Sequence, residues 1–251
     1  MHRFFLKPET VRSEKILLDA KESHHAKNVL RVKRGEVVEI LDGLGGRYRA
    51  VIAGFDNGRV ALSVDARAPV TENGVDITLA ASVIKPDRME WMLEKCCELG
   101  VREWMPVITA RSVVKLSRER WQAKVARWRK IASESCKQCG QARIPQVGEP
   151  VPFKQLLARI GSYDVCLIPT LGATEELFES LTRHRNAKKA LVLFGPEGDF
   201  TPKEAAEAVS RGAVSVTLGA GVLRSETAAL YTLSALRFFY GSSGATTHPG
   251  N

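Results

Sequence analysis

Residues 195–200, Gly-Pro-Glu-Gly-Asp-Phe, follow the apolar run "ALVLF" at 190–194. A glycine turn closing such a run can bring backbone amides and carbonyls close to a ligand. Thr201 reads as a helix N-cap, Pro202 as the first helical residue, and Glu204, three positions after Thr201, completes a capping box. A second turn of this kind ends the next run, in "LGAGVLRSETAAL" at 218–230. There Gly219 and Gly221 form the turn, Ser225 is the expected N-cap, and Arg224, Glu226 and Thr227 gather at the helix start. Read as adjacent strand ends, the two turns supply backbone groups, one arginine and two glutamates. Phosphate suits them poorly. No Gly-Lys-Ser/Thr follows, and Arg224 stands where the third glycine of G-x-G-x-x-G would be. Carboxylates beside backbone carbonyls favour an adenosine-type, uncharged or cationic ligand. Two tight strand–helix turns without a ligand fit the same spacing, and spacing alone leaves both open.

The elements that must carry these turns alternate from residue 77 onward. Apolar strand runs at 77–84, 104–108, 163–169, 189–195 and 214–219 are separated by helical patterns at 87–100, about 117–139, 174–183 and 202–211, with a last helix at 226–240. Gly100 closes the first of those helices. Short apolar strands alternating with amphipathic helices predict an α/β fold, a parallel sheet with helices on both faces. In such sheets ligands bind at the carboxyl ends of the strands, where residues 195–200 must lie. Residues 1–68 differ, with β runs at 15–20, 36–43, 47–55 and 59–67 broken by "DGLGG" and by "DNG", a strong hairpin signal. The expected organisation is a small β-rich domain over 1–70, a linker at 67–74, an α/β domain over 75–242 and a frayed tail over 243–251.

Composition narrows the class. Of the 251 residues, 44% are hydrophobic and 26% charged, as in a globular protein with a sizeable core. No stretch approaches the roughly 18–20 apolar residues of a membrane span. The start, "MHRFFLKPET", lacks the apolar core of an export signal, so the expected compartment is the cytosol. Five cysteines, an odd count, argue against a disulfide framework. Cys136 and Cys139 form a lone C-x-x-C without a second pair at zinc spacing, so no metal is expected and two small residues on a helix ending at Gly140 suffice. The net charge is +9, and residues 111–143 hold 10 basic against 2 acidic side chains. A solvated helix face would explain such a run. The scarcity of acidic partners, with Trp121 and Trp128 one heptad apart within it, suits a polyanion better.

"LVLFGPEGDFTPKE" with "VTLGAGVLRSETAAL" resembles the signature of the RsmE-type 16S rRNA uridine-N3 methyltransferases, members of the SPOUT class. "HRFFL" at 2–6, "HHAKNVLRVKRGEVVEILDG" at 24–43, "KPDRMEWMLEKCCELGV" at 85–101, "PVITARSVVK" at 106–115 and "KQCGQARIP" at 137–145 extend the resemblance over nearly the whole chain. Two departures stand out. Asp199 replaces the last glycine of the family's "GPEGG", and Gln141 replaces an arginine after "QCG", with Arg143 nearby to substitute for it.

The resemblance implies a SPOUT-type knotted parallel sheet preceded by a PUA-like, RNA-binding barrel. It also implies S-adenosylmethionine (SAM) bound bent in the knot, at a homodimer interface, without a metal. The cofactor loops would be Thr170-Leu171-Gly172; Phe194, Gly195, Pro196, Glu197 and Gly198; and the stretch holding Leu218, Gly219, Val222, Leu223, Arg224 and Thr227. Arg224 would stabilise charge on the uridine oxygens, and Glu226, or failing it Glu197, would take the N3 proton. RNA would be held by Arg3, Arg31, Lys33 and Arg34, by the basic segment through Arg111 and Lys115 as far as Arg129, and by Arg143. The implied partners are 16S rRNA, in an assembled 30S subunit rather than naked, and a second copy of the chain, with neither DNA nor membrane. Ribose 2′-O-methylation by the same fold and a non-catalytic role in RNA binding or ribosome assembly are the alternatives.

Overall fold

The computed structural model describes residues 1–11, 16–68, 74–112 and 117–241. Lys115, most of the expected linker and the expected tail lie outside the described residues. The chain divides into two compact units, Met1–Glu72 with Ser133–Ile144, and Asn73–Ala132 with Pro145–Asn251.

The first unit runs β1 (Arg3–Phe5), α1 (Pro8–Val11), β2 (Ile16–Leu17), α2 (Ala20–Asn28), β3 (Val37–Leu41), β4 (Arg47–Asp56) and β5 (Arg59–Ala68). Its five-stranded sheet has the order β1-β3-β4-β5-β2, with β1 parallel to β3 and the remaining pairs antiparallel. Asn57 and Gly58, with φ of 46° and 78°, form a two-residue turn that sets Asp56 opposite Arg59. That is the left-handed pair a tight hairpin needs, and "DNG" predicts it. Among the described residues of the run at 15–20 the strand covers Ile16–Leu17, because the Asp19 carboxylate accepts the Glu22 amide at 2.7 Å and starts α2. Phe4, Leu18, Ile40, Ile52 and Val60 build the core.

The chain continues with β6 (Asp76–Ser82), α3 (Pro86–Glu98), β7 (Glu103–Ile108), α4 (Arg118–Cys139, whose residues from Ser133 onward belong to the first unit), β8 (Gln146–Val147), β9 (Val151–Pro152), α5 (Phe153–Leu157), β10 (Val165–Pro169), α6 (Leu177–Arg183), β11 (Lys189–Phe194), α7 (Pro202–Ser210), β12 (Val214–Val216) and α8 (Ser225–Gly241), the rest of which form the second unit. Its sheet is wholly parallel, in the order β12-β10-β11-β6-β7-β8, with β9 also pairing β7. Met105, Val107, Cys166, Ile168, Leu191 and Leu193 meet α5 and α7 through Phe153, Leu156 and Ala208. Alternate strand residues, among them Leu79, Trp104, Leu167 and Val192, are fully buried on the opposite face. There α3 and α8 contribute Met89, Met92, Leu93, Leu233 and Leu236 to the core.

Three expectations change. The turns after β11 and β12 do not end neighbouring strands, because β10 lies between them. The helix expected from Thr174 begins at Leu177, because the Glu175 carbonyl accepts the Thr217 amide at 2.8 Å and Glu176 bridges Thr217. Trp128 is 1% exposed and belongs to the apolar stripe of α4 with Val125, Ala132 and Cys136. That stripe recurs at helical spacing, so Trp128 cannot interleave with the basic side chains as an RNA-stacking platform.

Gly100 ends α3 as its position predicts, with φ of 73°. Arg237 of α8 holds that end. Its guanidinium donates to the carbonyls of Leu99 at 2.9 Å, Val75 at 3.1 Å and Gly100. Arg237→Leu removes the shared donor from three carbonyls and is expected to lower the unfolding free energy by about 3 kcal/mol. A urea titration reads this as a lower midpoint at unchanged slope.

Candidate functional site

Beyond the carboxyl ends of β10, β11 and β12 lies a cavity of about 490 Å³. From β10 its wall takes Pro169, Thr170, Leu171 and Gly172; from β11, Phe194, Gly195, Pro196, Glu197 and Asp199; from β12, Thr217 to Ser225 together with Ala228. Arg88 of α3 completes it. Of the residues expected at a cofactor, Thr170, Leu171, Gly172, Phe194, Gly195, Pro196, Glu197, Leu218, Gly219, Val222, Leu223 and Arg224 line this wall and Gly198 and Thr227 do not; Glu226, expected to take the proton, does not line it. The three loops meet because β10 stands between the other two strands.

The turn after β11 is fixed by short-range bonds. The Asp199 amide donates to the Pro196 carbonyl at 2.8 Å, and the Phe200 amide donates to the Asp199 carboxylate at 2.7 Å. Asp199 has φ of 59°, a left-handed conformation that aspartate tolerates better than most residues, so it can replace a glycine here. A Cβ on Gly195 would stand 2.9 Å from the Phe200 amide nitrogen and from Asp199 Oδ1. The capping box at Thr201 and Glu204 forms as predicted. Glu204, 8% exposed, does more: its Oε1 accepts the Ala110 amide at 2.8 Å while its Oε2 accepts the Thr201 amide and hydroxyl, each at 2.9 Å. One buried carboxylate thus ties the loop after β7 to the glycine turn, beside which Arg111 donates to the Gly198 carbonyl.

The turn after β12 closes against the first. Ser225 does not cap α8 as expected but is its first residue, and its hydroxyl donates to the Gly195 carbonyl at 2.7 Å. Thr170 and Ser215 share a hydroxyl–hydroxyl bond of 2.6 Å, which fixes the β10 loop against β12. The Arg224 side chain is exposed at the cavity wall. Glu226 is 8% exposed, its Oε1 4.0 Å from Arg88 Nε.

In the first unit, Arg31, Lys33 and Arg34 are exposed on the segment between α2 and β3. Arg3 is committed, its Nε 2.9 Å from Glu39 Oε2, with Arg47 at 2.9 Å on the other carboxylate oxygen. The Arg143 guanidinium packs against Gly45, where a Cβ would come within 2.9 Å of it. On the basic helix, Arg127 holds Glu90 through two bonds of 2.6 and 2.7 Å, and Arg129 donates to the Val147 carbonyl at 3.3 Å. The charge run is therefore partly internal. The buried thiols take no part: desolvation raises Cys166 to about 12 and raises Cys96 further.

A model described as an RNA methyltransferase domain matches residues 71–237, and one described as an RNA methyltransferase PUA domain matches residues 18–65. The chain belongs to the RNA methyltransferase domain family. "Ribosomal RNA small subunit methyltransferase E" of Bacillus subtilis is 29% identical over 95% of this chain and 96% of its own length. The crystal structure of the Neisseria gonorrhoeae protein of that name, bound to S-adenosyl methionine, is 29% identical, covers 96% of this chain and 99% of its own, and superposes with a TM-score of 0.85. A Legionella pneumophila protein solved in complex with SAM is 29% identical, covers 94% and 96%, and has a TM-score of 0.79. The feature of this methyltransferase domain that motif reading misses is Arg88. It lies within "KPDRMEW", and nothing in that string says which way its side chain reaches.

The two glycines of the turn should respond differently. Gly195→Ala forces a clash with backbone atoms and is expected to cost about 1–3 kcal/mol of stability. Gly198→Ala meets the Arg111 Cδ at 3.4 Å, an ordinary contact at the far part of a flexible chain, and should be tolerated. Thermal unfolding of both variants, with SAM titrated into each, checks the contrast: weakened SAM binding is expected for Gly195→Ala alone.

Proposed function

We propose that this chain methylates N3 of a uridine in small-subunit ribosomal RNA, using SAM as donor. The observation that carries this is the cavity at three converging strand ends, in a chain similar over nearly its full length to a methyltransferase solved with SAM. The cavity suits that donor. Its volume of about 490 Å³ lies within the span of small-molecule sites. Its wall offers backbone groups of Thr170, Gly195, Leu218 and Gly219 for an adenine edge. Glu197 and Asp199 put negative charge beside a sulfonium, and the described wall holds no lysine.

When bound, SAM supplies a methyl carbon whose bond to sulfur breaks towards the sulfonium, leaving a neutral thioether. The residues of this chain orient and exclude. Arg224, exposed at the wall, is positioned to donate to a uridine oxygen as negative charge develops there. The target base must leave its stack to reach the cavity, so a flipped or loop nucleotide is expected. The exposed cations Arg31, Lys33 and Arg34 of the PUA-type unit would hold phosphates on an assembled 30S particle. Within the same proposal the segment after β12 threads the preceding chain as in the SPOUT class, and two copies pair in the cytoplasm. Phe178, Tyr231 and Phe238 on α6 and α8, respectively 70%, 51% and 79% exposed, offer apolar surface for pairing.

The test is nucleoside analysis of 30S subunits from a strain lacking this gene, after incubation with the purified protein and SAM. N3-methyluridine is expected. A ribose-methylated nucleoside would instead favour 2′-O-methylation, and no product with no SAM binding in calorimetry would favour a non-catalytic role. Arg224→Ala is expected to lower turnover by roughly 10²–10³-fold while SAM still binds.

A further inference from the structure

Arg88 is the one cavity residue whose placement neither a motif nor local helix chemistry explains. It occupies the first turn of α3, where the helix dipole disfavours a cation. Two carboxylates from distant segments offset that cost: Glu197 Oε1 in the β11 turn lies 3.9 Å from Arg88 Nη1, and Glu226 Oε1 in α8 lies 4.0 Å from Arg88 Nε. Both separations exceed a hydrogen bond, so charge holds the guanidinium from two sides while, among the described residues, its N–H donors remain unspent. Glu226 is 8% exposed, off the cavity wall, and its Oε2 is buried without a hydrogen-bond partner among the described residues. A buried carboxylate off the cavity wall is poorly placed to take a substrate proton and well placed to hold an arginine.

We infer that Arg88 is a catalytic residue that lowers the cost of ionising the target uridine, and that Glu226 is its buried positioning partner. The inference rests on the methyl-transfer reading above. The N3 proton passes to water. The N–H electron pair stays on the ring, spread over N3, O2 and O4, and Arg88 and Arg224 are two donors available to the two oxygens. Among the described residues the carboxylates within 4.0 Å of the Arg88 guanidinium are Glu197 and Glu226; Asp87 and Glu90 share its helix, and Asp199 and Arg224 share its cavity wall.

The experiment compares wild type, Arg88→Met, Arg88→Lys and Glu226→Gln. SAM affinity is measured by calorimetry, and single-turnover methylation of unmodified 30S subunits is followed from neutral to mildly alkaline pH. Arg88→Met is expected to bind SAM as wild type does and to react roughly 10²–10³-fold more slowly at neutral pH. That deficit should shrink as rising pH ionises N3 without help, and lysine should restore part of the rate. Glu226→Gln should lose less than Arg88→Met and add little to it in the double variant. An unchanged rate in Arg88→Met overturns the inference. So does SAM affinity falling in step with the rate at an unmoved pH profile, which would place Arg88 on the donor's carboxylate. Full loss in Glu226→Gln with Arg88→Met active would return the base role to Glu226. Wild-type protein that binds no SAM would remove the methyl-transfer reading and this inference together.

Discussion

Three strand ends must converge for the cavity to exist, and they do so because β10 separates β11 from β12. Had the last two strands been neighbours, two turns would face each other with no third wall. With β10 between them, Thr170–Gly172 fills the gap, and the cavity closes on backbone from all three loops. Few of these contacts are strong individually. The Ser225 hydroxyl on the Gly195 carbonyl and the Thr170–Ser215 pair are ordinary hydrogen bonds, each worth about 1 kcal/mol net. Their effect lies in geometry, since each joins loops from different strands and leaves the wall little freedom to collapse or open.

The charge arrangement follows from the same convergence. The β11 turn brings Glu197, the start of α8 brings Arg224 and Glu226, and α3 brings Arg88. No two of these elements are joined directly in the chain except through a strand or helix, so the polar groups meet only after the sheet is assembled. The unit built on the smaller sheet follows different physics. Its ion pairs, Glu39 held between Arg3 and Arg47 above all, are spent on its own architecture. Among the cations it leaves exposed, Arg31, Lys33 and Arg34 lie together on one short segment, open to an anionic partner.

Much of this was legible from residue types because the controlling interactions are local. Thr201, Pro202 and Glu204 announce a capped helix, and "DNG" a hairpin, because each turn's conformation depends on two to four consecutive residues. Gly100 ends α3 for the same reason. Parallel strand order is not local, so the interposition of β10 escaped the residue pattern. The burial of Trp128 was visible in principle, through its spacing from Val125 and Ala132, but the surrounding arginines masked it. Arg88 escaped because its partners lie in segments far along the chain. The second task of Glu204, holding Ala110, escaped for the same reason.

The most direct check of this account is a crystal structure of the protein soaked with SAM. Density for the donor should lie within the wall formed by Thr170–Gly172, Gly195–Glu197 and Leu218–Arg224, with the adenine edge met by backbone groups. Donor density at any other place on the chain, with those three loops unliganded, would contradict it.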